Sequence, residues 1–188
     1  MTKYRVEPKS RNDIRIFANM FRRHLRLDNV LYVPVVKLLD VLPEIFDTFS
    51  YEIVPEEELP DSTHADTDII TGHIRIKESV YERACDGEGR DRMTIAHEIG
   101  HYFLLCCCGF KLQQNYGDTK VKTYEDPEWQ AKCFAGEFMI PRHLIGDMNP
   151  WEIANACGVS FDAAAYQYNQ KEKGVMRMIA TRNRKALH

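Results

Sequence analysis

The segment over residues 92–105 constrains this chain most, because it contains the pattern His-Glu-x-x-His at residues 97–101. Apolar residues recur around the pattern at near-helical spacing, which predicts a helix. Residues four positions apart share one face of a helix, so His97 and His101 point to the same place, where two imidazoles suit a zinc ion. Glu98 lies about 100° further round and can reach a water molecule at the metal, which is the arrangement of a metalloprotease.

The apolar surroundings of this pattern favour a metal site over a chance pairing of histidines. Most of the neighbouring residues are apolar, so much of the helix is expected to be buried. Two histidines and a glutamate are costly to bury without partners. We therefore predict His97 and His101 as zinc ligands and Glu98 as the catalytic base.

A catalytic zinc site normally has three protein ligands, so a third must come from elsewhere in the chain. Position 104 is Leu and position 107 is Cys, which excludes the pattern that places a third histidine six residues after His101. The run 106–108 offers cysteine thiolates. On a continuing helix, however, Cys107 points away from His101, and Cys108 lies about 10 Å further along the axis. The remaining option is a carboxylate from a later helix.

A second helix is predicted within residues 125–141. Asp126 is a good N-cap, Pro127 is a good first helical residue, and Pro141 disfavours helical geometry just before it. Glu128 lies near small alanines on this helix, which would allow a close approach to the histidine-bearing helix. Glu128 is thus the favoured third ligand, and the competing acidic residues are Glu125, Asp126 and Glu137.

Two blocks of the sequence resemble the ImmA/IrrE family of metallopeptidases. They read Arg92-x-Thr94-x-Ala96-His97-Glu98-x-Gly100-His101, then Glu128-x-x-Ala131-x-x-Phe134-Ala135 and Met139-x-Pro141. The resemblance implies zinc held by His97, His101 and Glu128, with Glu98 catalytic. It also implies a protein substrate, a helix-turn-helix repressor encoded nearby, whose inactivation releases stress, mobile-element or defence genes. Lys132 occupies a position where Asn or Asp is common in that family.

Composition places few other demands on the chain. A net charge of −3 over 188 residues gives no electrostatic case for general nucleic-acid binding. The six cysteines show no Cys-x-x-Cys spacing, and the N-terminus does not read as an export signal, so we expect reduced thiols in a cytoplasmic protein. No apolar run is long enough for a membrane span, so no membrane association is predicted.

The overall pattern predicts one α+β metallopeptidase domain over residues 1–188, of a minimal zincin-like type, with a small sheet packed on several helices including the His-Glu-x-x-His helix. Further helices are predicted at 10–25, 35–46 and 80–85, a strand at 49–54, and a hairpin within 68–77 whose turn is at 71–72. The arginines of the first helix are assigned to a solvated face. The remaining segments are an N-terminal helical segment at 1–30, a mobile loop at 109–124, a helix-turn-helix-like core segment at 151–170 and a basic tail at 171–188.

Two alternative functions stay open at this point. The segment 151–170 resembles a DNA-binding helix-turn-helix, but its second helix carries no Arg or Lys before Lys171, which favours a structural role over specific DNA binding. A zinc-stabilised module that binds a repressor without cutting it would need the same metal ligands. The sequence also leaves undecided which residue would stabilise an oxyanion, the candidates being His143, Tyr166 and Tyr168.

Overall fold

The computed structural model describes residues 4–107, 113–114 and 121–171, with the backbone alone at 107, 113 and 114. Its helices are α1 (Arg11–His24), α2 (Val35–Ile45), α3 (Glu78–Cys85), α4 (Gly89–His101), α5 (Pro127–Met139), α6 (Pro150–Cys157) and α7 (161–171). A π-helical segment, Tyr102–Cys107, continues α4, and short 3-10 helices span Glu56–Glu58 and Thr123–Glu125. With the sheet described next, this architecture confirms the α+β class.

A small mixed sheet lies beside the helices. Strand β2 (Ser50–Val54) runs parallel to the central strand β4 (His73–Lys77), and β3 (Ala65–Thr67) pairs antiparallel with the other side of β4. Strand β3 is therefore an edge strand, and it contacts α4. A separate antiparallel pair joins β1 (Tyr4–Arg5) to β5 (Gln113–Gln114).

The predicted hairpin exists, but its first strand was placed wrongly. The sequence indicated a strand at 69–70, whereas the strand spans Ala65–Thr67 and residues 68–72 form the turn. The carboxylate of Asp68 accepts hydrogen bonds from the amides of Ile70 and Thr71, which stabilises the turn. Ile70 is consequently 90% exposed and does not pack in the core.

The predicted first helix begins at a capping box, in which Ser10 and Asp13 bond reciprocally. Its inward face consists of Ile14, Ala18 and Arg22, while Met20 is exposed. The assignment of Arg22 to a solvated face was wrong. Its buried guanidinium donates to the carbonyl oxygens of Phe138, Leu27 and Val30, so a single side chain satisfies backbone acceptors of two segments.

A buried ion-pair cluster joins α1 to α5. Glu137 is 2% exposed and accepts a hydrogen bond from Arg15 Nε at 2.8 Å and another from Arg11 Nη1 at 3.3 Å. Arg11 and Arg15 are therefore also not purely solvated, contrary to the sequence-based assignment. A periodic pattern shows which face a residue occupies, but it does not show that a carboxylate 122 or 126 positions away faces it.

Helix α4 lies at the centre of the core, and its contacts explain why it carries two glycines. Gly100 faces α5, where an added Cβ would lie 3.0 Å from Phe134 Cδ1 and 3.2 Å from the carbonyl oxygen of Ala131. Gly89 lies against the backbone of Val159, where an added Cβ would lie 2.3 Å from the carbonyl carbon. Gly89 therefore allows a backbone approach that a side chain would block, and Gly100 allows a contact with α5 that a Cβ would make tight.

The segment at 151–170 has the predicted helix–turn–helix form and packs as part of the core. Gly158 ends α6 in the left-handed conformation. The buried Arg92 of α4 donates to the carbonyl oxygens of Gly158 and Val33 and stacks over the Tyr32 ring, 3.9 Å from its centroid. The buried apolar side chains of the segment 151–170 are Ile153, Ala154, Cys157, Val159 and Ala164. These contacts favour the structural interpretation of the segment.

Two predicted segments are largely not described. The predicted mobile loop at 109–124 lies outside the described residues except for 113–114 and 121–124, and so does the basic tail beyond Lys171. No described helix is both long and apolar enough to cross a membrane.

We expect Glu137→Ala to lower the free energy of unfolding by about 3 kcal/mol, because it leaves two partly buried arginines without their carboxylate. Chemical denaturation would measure this loss. The matched control is Glu44→Ala on the exposed side of α2, which should change stability by less than about 0.5 kcal/mol. Equal losses in the two variants would show that the cluster does not stabilise the fold.

Candidate metal centre

Three side chains from two helices converge on one point. His97 and His101 project from the last turns of α4, and Glu128 projects from the first turn of α5. The Nε2 atoms of the two histidines lie 3.1 Å apart. The Glu128 carboxylate lies 3.2 Å from His97 Nε2 and 3.3 Å from His101 Nε2. The ligand atoms of all three residues fall within 4.8 Å of one another.

This spacing fits a tetrahedral zinc ion. Two donors that each bind zinc at about 2.0–2.1 Å in tetrahedral geometry lie about 3.3 Å apart. Two imidazoles and a carboxylate are also a donor set found at catalytic zinc sites with an open fourth position. Hydrogen bonds from His101 and His97 hold the pKa of Glu128 well below its usual range, so the carboxylate is charged.

The competing third ligands lie elsewhere, as far as the structure describes them. Asp126 caps α5 by accepting from the Glu128 amide at 3.0 Å, and Glu137 faces the arginines of α1. Glu125 belongs to the short 3-10 helix before α5 and is not part of the converging group. Cys106 Sγ donates to the carbonyl oxygen of Ile69. Cys108 and the side chain of Cys107 lie outside the described residues.

Glu98 lies beside this group and is oriented by the sheet. It is 5% exposed, and Thr67 Oγ1 donates to its Oε2 at 2.7 Å. Both residues line a cleft of about 570 Å³ that is also lined by His97, His101 and Glu128. The predicted catalytic base and the three predicted ligands therefore face the same space.

Strand β3 forms one wall of this cleft with its free edge. The hydrogen bonds Lys77 N to His64 O and Asp68 N to His73 O mark hydrogen-bonded pairs of the antiparallel ladder. By alternation, the backbone groups of Ala65 and Thr67 point away from β4. These groups can pair with an extended peptide placed in the cleft.

Sequence reasoning missed several residues that line the cleft. Thr67 was overlooked because the strand was placed after it instead of on it. His64 lies 3.3 Å from an Arg90 nitrogen, and Lys132 follows Glu128 by one helical turn. His97 Nδ1 is buried and has no hydrogen-bond partner among the described residues. The ammonium group of Lys132 cannot accept a hydrogen bond from a protonated His97 Nδ1, because it only donates.

The three oxyanion candidates do not line the cleft. His143 Nε2 lies 3.1 Å from the carbonyl oxygen of Asp28. The Tyr166 hydroxyl accepts from Arg11, and Tyr168 packs partly buried against the core. The described contacts of these three residues are therefore with other parts of the fold and not with the converging group.

Comparison with known proteins decides the family. Residues 56–169 match the Peptidase M78 family, described as the IrrE N-terminal-like domain. The chain belongs to this family. The match covers both sequence blocks and all four predicted site residues, and it places the chain among metal-dependent peptidases. It confirms the resemblance to the ImmA/IrrE family.

Among solved structures, a Mycobacterium tuberculosis transcriptional regulator resembles this member of the M78 family, with a TM-score of 0.53 and 16% identity. The alignment covers 81% of this chain and 45% of that protein, so this chain spans less than half of its length. At this level of identity the likeness shows the fold alone. No curated protein matches the sequence significantly.

Proposed function

We propose that this chain is a zinc endopeptidase. The observation that carries the proposal is the convergence of His97, His101 and Glu128 beside the buried carboxylate of Glu98, in a cleft bordered by a free strand edge. Membership of a metallopeptidase family supports it. We further propose that residues 1–188 act as one metallopeptidase domain in the cytoplasm.

The chain's own residues supply positioning and proton transfer. His97, His101 and Glu128 would hold the metal, and the outward backbone groups of Ala65 and Thr67 would bind the substrate as an added strand. A zinc ion, when bound, lowers the pKa of a coordinated water to about 7 and polarises a carbonyl. Glu98 accepts the proton of the attacking water and passes it to the amide nitrogen as the C–N bond breaks.

We propose a helix-turn-helix repressor as the substrate. The resemblance to the ImmA/IrrE family supports this partner, and the edge strand supports binding of an extended protein segment rather than a folded surface. Specific DNA binding by this chain is not expected, because its net charge is −3 and the described part of α7 carries no basic residue before Lys171.

Glu128→Ala should lose zinc on dialysis, because two histidines alone bind the ion poorly. Glu125→Ala, Glu137→Ala and a variant with Cys106, Cys107 and Cys108 changed to Ser should retain about one zinc per chain. Elemental analysis after dialysis measures the content. If Glu128→Ala retains zinc and the cysteine variant loses it, the third ligand would be a cysteine thiolate and not Glu128.

Glu98→Gln keeps the size of the side chain but removes the base. We expect normal zinc content and a loss of cleavage of at least about 100-fold. The assay incubates the purified protein with the helix-turn-helix protein encoded next to it and follows fragments by mass spectrometry. Full cleavage by Glu98→Gln would contradict the mechanism. Equal regulation of the repressor in cells by both forms would instead favour a non-proteolytic binding module.

Thr67→Val removes the hydroxyl that holds Glu98 while keeping the side-chain shape. We expect kcat to fall roughly tenfold with KM and zinc content nearly unchanged, because substituting a residue that orients an active-site group costs about that much. Thr67→Ser retains the hydroxyl and should restore kcat. If Val and Ser variants are equally active, the hydrogen bond to Glu98 has no role in the reaction.

A further inference from the structure

A second cavity adjoins the metal cleft. Its volume is about 600 Å³, and it lies between α1, α4, α5 and α7. Thr94, His97 and Lys132 line both spaces, so the two cavities share a wall. Most of its remaining lining is apolar, formed by Met93, Trp129, Cys133, Ala135, Ala163 and the ring of Tyr166. An apolar recess that begins at a histidine of the candidate metal site could bind one side chain of the substrate.

One stripe of α4 connects the cavity to the cleft. Arg90, Met93, Thr94 and His97 follow one another at helical spacing and line the second cavity, and the stripe continues to His101 in the cleft. The cavity therefore begins beside the metal-site histidine and follows the helix towards its N-terminus. A side chain that leaves the cleft along this stripe enters the apolar recess.

The edge strand β3 determines the direction in which the side chains of a bound peptide would point. Thr67 projects from β3 towards α4, where its hydroxyl reaches both the carboxylate and the carbonyl oxygen of Glu98. In a peptide added to that edge, every second side chain points to the same face of the sheet. Such side chains therefore point towards α4 and the groove between α4 and α5. The next residue along the peptide points away from it.

The polar groups of the cavity wall are mostly engaged elsewhere. The Arg11 guanidinium donates to Tyr166 Oη at 2.7 Å and to Gln167 Oε1 at 3.2 Å, and it pairs with Glu137. Burial raises the pKa of the Cys133 thiol to about 12, so the thiol is neutral. Lys132 and Asp162 add one charge of each sign to the wall, but most of the surface that the wall presents is apolar. An apolar side chain would lose only water.

We propose that this cavity is a specificity pocket that accepts a large apolar side chain, such as Leu, Met or Phe, from a residue flanking the cleaved bond. The inference rests on the proposed peptidase function for its role in cleavage. The binding of an apolar side chain beside Trp129 does not depend on turnover and can be tested separately.

The binding test uses the fluorescence of Trp129. The chain has two tryptophans, and Trp151 lies 66% exposed on α6, so Trp151→Phe leaves Trp129 as the sole emitter. In the full-length zinc-loaded protein with Trp151→Phe and Glu98→Gln, glycine–serine hexapeptides carrying either Leu or Ser at one central position are titrated. We expect a saturable change in emission with the Leu peptide and an affinity about 10-fold to 100-fold weaker for the Ser peptide.

Ala163→Phe provides the blocking variant, because Ala163 is a half-buried residue of the pocket wall. Ala165→Phe, the same change at a half-buried position of α7 that does not line the pocket, is the matched control. Ala163→Phe should abolish the preference for Leu, and Ala165→Phe should keep it. Equal binding of both peptides, or equal effects of both variants, would overturn the pocket assignment. A change in Trp129 emission that depends on protein concentration and not on peptide concentration would also overturn the assignment. It would indicate that a second copy of this chain occupies the pocket.

The cleavage test maps the sites cut in a randomised peptide library. We expect the unmodified protein to prefer a large apolar residue next to the cut, and Ala163→Phe to lower kcat/KM for such peptides by about 10-fold to 100-fold while sparing those with Gly or Ala there. Cleavage with an unchanged preference in Ala163→Phe would overturn the inference. If neither the unmodified protein nor Glu98→Gln cuts any peptide while the Trp129 signal persists, the peptidase function fails and the apolar pocket is supported.

Discussion

The close approach of α4 and α5 is the constraint on which the candidate site depends. Gly100 on one helix and the backbone of Ala131 on the other leave no room for a further methyl group without displacement. This contact brings the first turn of α5 beside the last turns of α4. Glu128 consequently reaches His97 and His101 within hydrogen-bonding distance. An alanine at position 100 would require Phe134 or the carbonyl group of Ala131 to shift by a few tenths of an ångström.

Buried charges hold these helices at their positions. Glu137 lies on a different face of α5 from Glu128 and pairs with arginines of α1. Arg22 of α1 donates hydrogen bonds to backbone carbonyls near the end of α5 and in the loop after α1. Arg92 does the same between α4 and the turn after α6. Such groups are costly to leave unpaired, so an arrangement that separated one of them from its partners would be disfavoured. These charges stabilise the packing of the helices around the candidate site and do not contact its three converging residues.

Under the proposed function, the cleft and the apolar pocket would have different tasks. The free edge of β3 would bind the backbone of an extended peptide whatever its sequence. The recess beside His97 would distinguish one substrate side chain from another by its apolar surface. Thr67 links the two, because it lies on the edge strand and also orients Glu98. In the proposed mechanism, binding of the peptide backbone and placement of the base would therefore share one structural element.

The sequence by itself determined the features that follow from local geometry. The spacing of His97 and His101 places them on one helical face wherever that helix lies, and Asp126, Pro127 and Pro141 bound α5 through their own backbone preferences. The fold class and most helix boundaries followed from the same kind of signal.

Only the tertiary structure decided which distant groups meet. It brought Glu128, the candidate that the sequence favoured, to the histidines, and it paired Glu137 with the arginines of α1. It buried Arg22 and engaged Arg11 and Arg15, and it shifted the edge strand onto Thr67. These outcomes depend on contacts between residues far apart in the chain, and no local periodicity encodes them.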